Sequence, residues 1–62
     1  MTYSVIIVED EPPARAKLAR FIAELPDFQL ASEAATVEEG IAAIKTVVIP
    51  AGQRLGVIQL IP

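Results

Sequence analysis

Apolar positions along this chain follow two different periods. Residues 5–8 form an unbroken run of β-branched side chains, which predicts a strand over residues 3–8 that is buried on both faces of a parallel sheet. Between residues 12 and 25 the spacing becomes helical, and the apolar side chains share one face of the predicted helix: Ala14, Leu18, Phe21, Ile22 and Leu25. Pro26 and Asp27 end this helix.

The next part of the chain repeats this order of elements. Residues 28–32 alternate between apolar and polar positions and predict a short strand. Thr36, followed three residues later by Glu39, is a capping box that opens a second helix. The narrow apolar stripe of this helix consists of Val37, Ile41 and Ile44. Gly40 lies inside the helix, where glycine costs about 1 kcal/mol relative to alanine.

The pattern after residue 46 is less regular. Residues 47–49 are ambiguous between helix and strand, and residues 50–52, Pro-Ala-Gly, predict a turn. Residues 55–61 then have the composition of a third, mostly apolar strand, interrupted by Gln59, whose side chain we expect to face outwards. The order strand, helix, strand, helix, strand predicts one α/β domain over residues 1–62, with a parallel sheet and right-handed crossovers.

Two helices cover only part of such a sheet. With one helix on each face, much of the sheet stays exposed, and at least one outer strand keeps an unpaired edge that can pair with another chain. The sequence therefore supports two interpretations. The chain is either a fragment or degenerate copy of a larger domain, or a unit that associates with something else.

Composition excludes several classes of function. The 62 residues include no cysteine and no histidine, which excludes disulfides, thiolate or imidazole metal sites and histidine-based catalytic triads. A formal charge of −3 argues against a nucleic-acid surface. The amino terminus lacks a signal-peptide pattern, and no apolar run reaches the roughly 18 residues of a membrane span. We therefore expect a small, acidic, soluble protein of the cytoplasm that contacts no membrane.

Three consecutive carboxylates, Glu9, Asp10 and Glu11, follow the first predicted strand directly, and Pro12 and Pro13 then initiate the helix. Ligands of open α/β sheets bind at the carboxyl ends of the strands. Adjacent carboxylates repel one another unless a cation or hydrogen-bond donors offset their charge, so the cluster suggests a divalent metal site. The competing interpretation is a solvated acidic turn favoured by the dipole of the following helix.

The segment VIIVEDEPPARAKLARFI, which begins at Val5, resembles the start of a response-regulator receiver domain, in particular the receivers joined to LytTR-type DNA-binding domains. The similarity continues through residues 26–28 and 32–35 and into the second helix at residues 38, 39 and 41. It covers about residues 3–46, and the apolar run joined to Glu-Asp-Glu-Pro is its most specific part. Arg15 lies within the similar segment, and we expect it to be a solvated helix residue.

The resemblance implies a partial flavodoxin-like, CheY-like doubly wound fold that binds magnesium at the carboxyl edge of the sheet. It implies that Asp10 is the direct metal ligand and that Glu9 acts through water. These roles are chemically reasonable, because magnesium prefers one or two carboxylates together with waters and phosphate oxygens. A sensor histidine kinase is the implied partner in a phosphorelay. The parent protein would regulate transcription, and would reach DNA only through a separate output domain.

The tail, residues 47–62, departs from the family. No aspartate or glutamate follows Glu39, and the expected phosphoacceptor position is occupied by Ile58 or Ile61, depending on the register. Neither side chain can form an acyl phosphate. We therefore expect a truncated or degenerate receiver that is not an enzyme and binds Mg²⁺ weakly or not at all. The lack of a second acid at the sheet edge also counts against a small metal-dependent phosphotransferase. The alternative is a structural or interaction half-fold that forms homo-oligomers through its open sheet edges.

Overall fold

A computed structural model describes residues 2–60 of the chain. It contains β1 (Thr2–Val8), α1 (Pro12–Glu24), β2 (Phe28–Ala34), α2 (Val37–Thr46) and β3 (Gln53–Gln59). The predicted α/β class and element order are confirmed. Several boundaries differ from the prediction by one or two residues. Strand β1 begins at Thr2 rather than at residue 3, α1 ends at Glu24 rather than at residue 25, β2 extends beyond residue 32, and β3 begins at Gln53 rather than at residue 55. The proposed end of the third strand at Ile61 lies outside the described residues.

The three strands form one parallel sheet in the order β2-β1-β3. Strand β1 is therefore central, and its apolar run has no polar alternation because packed side chains cover both faces of the sheet at this strand. Ile6 and Ile7 are 0% exposed, and Val5 and Val8 are buried as well. Since successive strand residues point to opposite faces, this run supplies apolar side chains to both sides of the sheet.

The helices cover opposite faces of the sheet. On one face, Ile22 of α1 packs with Val5 and Ile7. On the other face, Ala43 and Val47 pack against a cluster of buried side chains made by Ile6, Val8 and Ala34. The first crossover leads to β2 on one side of β1, and the second leads to β3 on the other side. The direction of winding therefore reverses at β1.

The start of α2 has the predicted cap, with one difference. The Thr36 side chain accepts a hydrogen bond from the Glu39 backbone N–H, at 3.1 Å. The Glu39 carboxylate accepts in return from the N–H of Ala35, at 2.8 Å, one residue before the partner of a standard capping box. The box still satisfies two amide donors, and it also fixes the chain that enters the helix from β2.

The predicted apolar stripe of α2 is wrong in its detail. The face turned to the sheet consists of Gly40, Ala43 and Val47, whereas Ile41 and Ile44 are exposed on the adjacent flank. The predicted stripe of α1 divides in the same way: Leu18 and Ile22 pack on the sheet, and Phe21 and Leu25 stay exposed. The reason is the position of the helices. Both lie over β1 and β2, and within residues 2–60 neither packs against β3.

Strand β3, which neither helix covers, therefore exposes apolar side chains. Leu55 and Val57 of β3 are 37% and 44% exposed. They pair with Ser4 and Ile6 and so lie on the α2 side of the sheet. With the right-handed crossovers that such units adopt, the exposed flanks of both helices are the flanks nearer to β3. Apolar surface is therefore concentrated on and beside this strand.

Candidate functional site

The reversal of winding at β1 determines where a ligand site can form. In open parallel sheets, ligands bind outside the carboxyl ends of the strands at the point where the strand order reverses. Here that point lies between β1 and β3, and Glu9 and Asp10 follow the last residue of β1. The Leu60 N–H donates to the Val8 carbonyl at 3.2 Å, which fixes the end of β3 beside these acids. We call Glu9, Asp10 and Glu11 the acidic corner.

Glu9 is held in the corner by both its backbone and its side chain. Its N–H donates to the Ala34 carbonyl at 3.0 Å, and its Oε1 accepts from the Glu11 N–H at 3.1 Å. The residue is only 7% exposed. A buried carboxylate needs such a donor, because desolvation without a hydrogen bond is costly. The Glu9 side chain therefore stabilises the turn into α1, where the N-cap residue Glu11 makes no side-chain hydrogen bond of its own to the helix.

Asp10 and Glu11 differ from Glu9 in being exposed. Both lie between the end of β1 and the first residue of α1, so the positive end of the helix dipole is close to them. Among the three acids, only Asp10 and Glu11 present their carboxylates freely to solvent, and Glu9 contributes one oxygen that is already engaged. The structure thus brings the predicted pair, Glu9 and Asp10, to one corner but gives them unequal roles.

Arg15 is a contact residue, and the prediction that it is solvated was wrong. Its Nη1 donates to the Glu9 carbonyl oxygen at 2.9 Å, and its Nε lies 3.6 Å from Oε1 of Glu33. One guanidinium therefore connects the corner after β1 with the end of β2, which suits its fork of fixed donors. The partner is distant in the sequence and reaches the corner only because β1 pairs with β2. No local pattern around Arg15 indicated the contact.

The opposite side of the site, at the end of β3, carries no carboxylate. Ile58 is half-buried, pairs with Ile7 inside the sheet and packs on the α1 side of the core. Ile61 lies outside the described residues. Within residues 2–60, no group of three or more acidic, histidine or cysteine side chains could hold a metal ion. The corner therefore presents two exposed carboxylates, Asp10 and Glu11, and one hydrogen-bonded carboxylate, Glu9, beside a strand end that carries no acid.

Comparisons with known proteins found no match to this chain. No family model matches the chain. No curated protein and no solved structure matches it either.

In the part of the chain that the structure describes, neither α1 nor α2 is long and apolar enough to cross a bilayer.

Proposed function

We propose that this chain is a receiver-like signalling module that cannot itself be phosphorylated. The observation that supports this proposal best is the acidic corner at the β1/β3 switch point of a sheet in the order β2-β1-β3. A flavodoxin-like fold uses this order and binds its ligand at this point. Together with the resemblance of residues 3–46 to LytTR-type receivers, this position argues for a corner of receiver type.

The residues of the corner suit a hydrated magnesium ion held weakly. Mg²⁺ keeps several waters and takes one or two carboxylates in protein sites. Asp10 would supply the direct oxygen, and the Glu9 oxygen that does not accept from Glu11 would act through water. When bound, the ion would offset negative charge on a phosphoryl group. With so few acids in the corner, we expect the ion to bind only at millimolar concentration.

The missing step is phosphoryl acceptance. Aspartyl phosphorylation needs a carboxylate oxygen as nucleophile, and the β3 residues beside the corner provide none. The module would therefore take part in a phosphorelay by occupying a cytoplasmic sensor histidine kinase or by carrying an output domain. It would not turn over phosphate.

Two measurements on one sample test this proposal. Incubation with Mg²⁺ and acetyl phosphate should leave the intact mass unchanged, and a stable aspartyl phosphate would contradict the assignment of β3. In amide NMR, Mg²⁺ should shift the signals of Glu9 and Asp10 first. Asp10→Asn should abolish these shifts, whereas Asp27→Asn, which changes an exposed aspartate at the other end of the sheet, should preserve them. Equal responses of the two variants would leave only a solvated acidic turn.

A second candidate function is favoured by a different observation. Strand β3 has no helix on either face in residues 2–60 and forms one edge of the sheet. An exposed apolar edge strand is a template for pairing with another chain. We propose as this alternative that the chain is an interaction unit that assembles through β3. Sedimentation at increasing protein concentration tests it, because a species that stays monomeric at every concentration would exclude it.

A further inference from the structure

The outer edge of β3 offers backbone hydrogen-bonding groups in a defined pattern. The Leu60 N–H donates to the Val8 carbonyl across the β1/β3 ladder. Because residues two apart in a strand point their backbone groups the same way, the even-numbered residues of β3 direct their N–H and C=O groups towards β1. The odd-numbered residues then direct theirs away from the sheet, since successive residues alternate. The groups that face solvent along this edge therefore include those of Leu55 and Val57.

This edge lacks the usual protection against pairing. Edge strands are commonly blocked by charged side chains, prolines or bulges. The β1/β2 ladder has an irregularity between Val5 and Ile6, and β2 carries Glu33 near its end. The β1/β3 ladder is regular over its whole length. Its strand contains one charged residue, Arg54, near its start, and no proline.

From this edge we infer that the partner of β3 is the β3 strand of a second copy of the chain. The two strands would be antiparallel and related by a two-fold axis that passes through Gly56. This inference rests on the interaction role proposed above for β3 and does not depend on the acidic corner. Gly56 is the middle residue of Gln53–Gln59, so this register alone pairs the whole strand with its symmetry mate.

The register also matches the side chains. Leu55 would lie opposite Val57 of the second copy, and Val57 opposite its Leu55, which gives two apolar cross-strand pairs on the α2 side of the sheet. Arg54 would lie opposite an isoleucine, so no like charges meet. Leu55 and Val57 are also the residues whose backbone groups point outwards, and each pair would exchange two hydrogen bonds. Side chains and backbone thus favour the same axis.

Gly56 makes this geometry directly testable. On the axis it would face its own symmetry mate in a pair without hydrogen bonds, with Cα atoms about 4.5 Å apart, within the range of about 4.4–6.8 Å that disulfides span. An added Cβ at Gly56 meets only ordinary contacts, 3.8 Å from Cγ2 of Val5 and 3.9 Å from Cδ1 of Tyr3. The chain has no cysteine, so Gly56→Cys would introduce the sole thiol.

The affinity should be modest. One seven-residue edge is a smaller interface than the roughly 800 Å² per partner that stable complexes bury. We therefore expect a dimer that dissociates on dilution. In amide exchange, the N–H groups of Leu55 and Val57 should become protected as the concentration rises. Those of Gly56 and Ile58, which face β1, should be protected throughout.

The decisive experiment compares rates of oxidative cross-linking at one protein concentration. Gly56→Cys should form the covalent dimer at least tenfold faster than Leu55→Cys and Val57→Cys, whose symmetry mates would be diagonal neighbours about 7–8 Å away. Ala42→Cys, an exposed position on α2, measures random collision. A Gly56→Cys rate equal to that of Ala42→Cys would overturn the inference, and a faster rate for Leu55→Cys or Val57→Cys would place the axis elsewhere.

Sedimentation of the unmodified chain tests the interaction role of β3 separately from the two-fold axis through Gly56. Concentration-dependent dimers without cross-linking at Gly56 would retain the interaction role and refute the two-fold axis through this residue. A monomer at every concentration would refute both. A dimer that cross-links fastest through Gly56→Cys supports the interface in full.

Discussion

Gly40 provides the sharpest test of how α2 is placed on the sheet. A Cβ built on this residue would lie 2.7 Å from Cγ2 of Val8, closer than two non-bonded carbon atoms can approach. The residue is buried, and valine has little rotamer freedom with which to move away. Gly40→Ala must therefore push the helix off β1 or force Val8 out of position.

The expected change in the free energy of unfolding is the difference between a gain in helix propensity and a cost of overpacking. Alanine in place of glycine favours the helix by about 0.8–1.0 kcal/mol. Overpacking a buried site costs about 1–3 kcal/mol. The difference predicts that Gly40→Ala lowers the free energy of unfolding by about 1 kcal/mol. In a domain of this size that is a fall in Tm of about 4–8 °C.

Urea and thermal unfolding followed by circular dichroism measure this effect, at a concentration at which the chain is monomeric. Gly56→Ala is the matched control, because its Cβ meets only ordinary contacts and alanine in a strand is favoured over glycine by about 0.5–1 kcal/mol. The two substitutions should therefore act in opposite directions. If Gly40→Ala instead raises stability by the amount that helix propensity predicts, the close approach of α2 to β1 is wrong.

A double variant isolates the clash itself. Val8→Ala removes the atom that the new methyl group would meet, so Gly40→Ala should change from destabilising to stabilising in that background. The coupling between the two positions should then reach the range of about 0.5–3 kcal/mol that is typical of residues in contact. Because Val8→Ala opens a cavity in a small core, the cycle is best measured with a stabilising osmolyte present throughout. Additive effects would show that the two side chains do not meet.

Two further substitutions test the ends of the elements. Thr36→Ala should cost about 1 kcal/mol of stability in chemical denaturation, because it removes the acceptor for the Glu39 N–H; Thr36→Ser should be nearly neutral, and a full loss with serine would exclude the cap as the cause. Arg15→Gln should cost less than about 1 kcal/mol, since its ion pair with Glu33 is partly exposed, and part of that cost should vanish in high salt. A salt-independent loss would assign the whole effect to the bond with the Glu9 carbonyl.

Local patterns predicted the elements because the strongest signals in this chain are local. The unbroken run at residues 5–8 indicated a strand buried on both faces of the sheet, and Thr36 with Glu39 indicated where α2 begins. The faces of the helices were predicted less well. Periodicity finds an apolar stripe, but which part of it is buried depends on the strand order, and here the order leaves β3 without a helix. Ile41 and Ile44 are exposed for that reason.

The candidate site was likewise predictable only where its features are local in the sequence. Glu9 and Asp10 are adjacent in the sequence and follow β1, so their common position was predictable. The contact of Arg15 with Glu33 joins an element to the end of the next strand, and only the pairing of β1 with β2 brings the two together. Gly40 was predicted merely as a weak point of its helix. Its close approach to Val8 is a property of the packed structure that propensity does not contain.

The central position of β1 also sets an order of events in folding. Its pairs with β3 join residues 51 positions apart, as in Thr2 with Gln53 and Val8 with Gln59, whereas its pairs with β2 are about half as distant, as in Tyr3 with Phe28. Contacts of high sequence separation form late and slowly. One edge of the most apolar segment in the chain thus stays open until β3 arrives, and such edges make partly folded chains prone to aggregate. The yield of folded protein should therefore depend on how fast β3 docks.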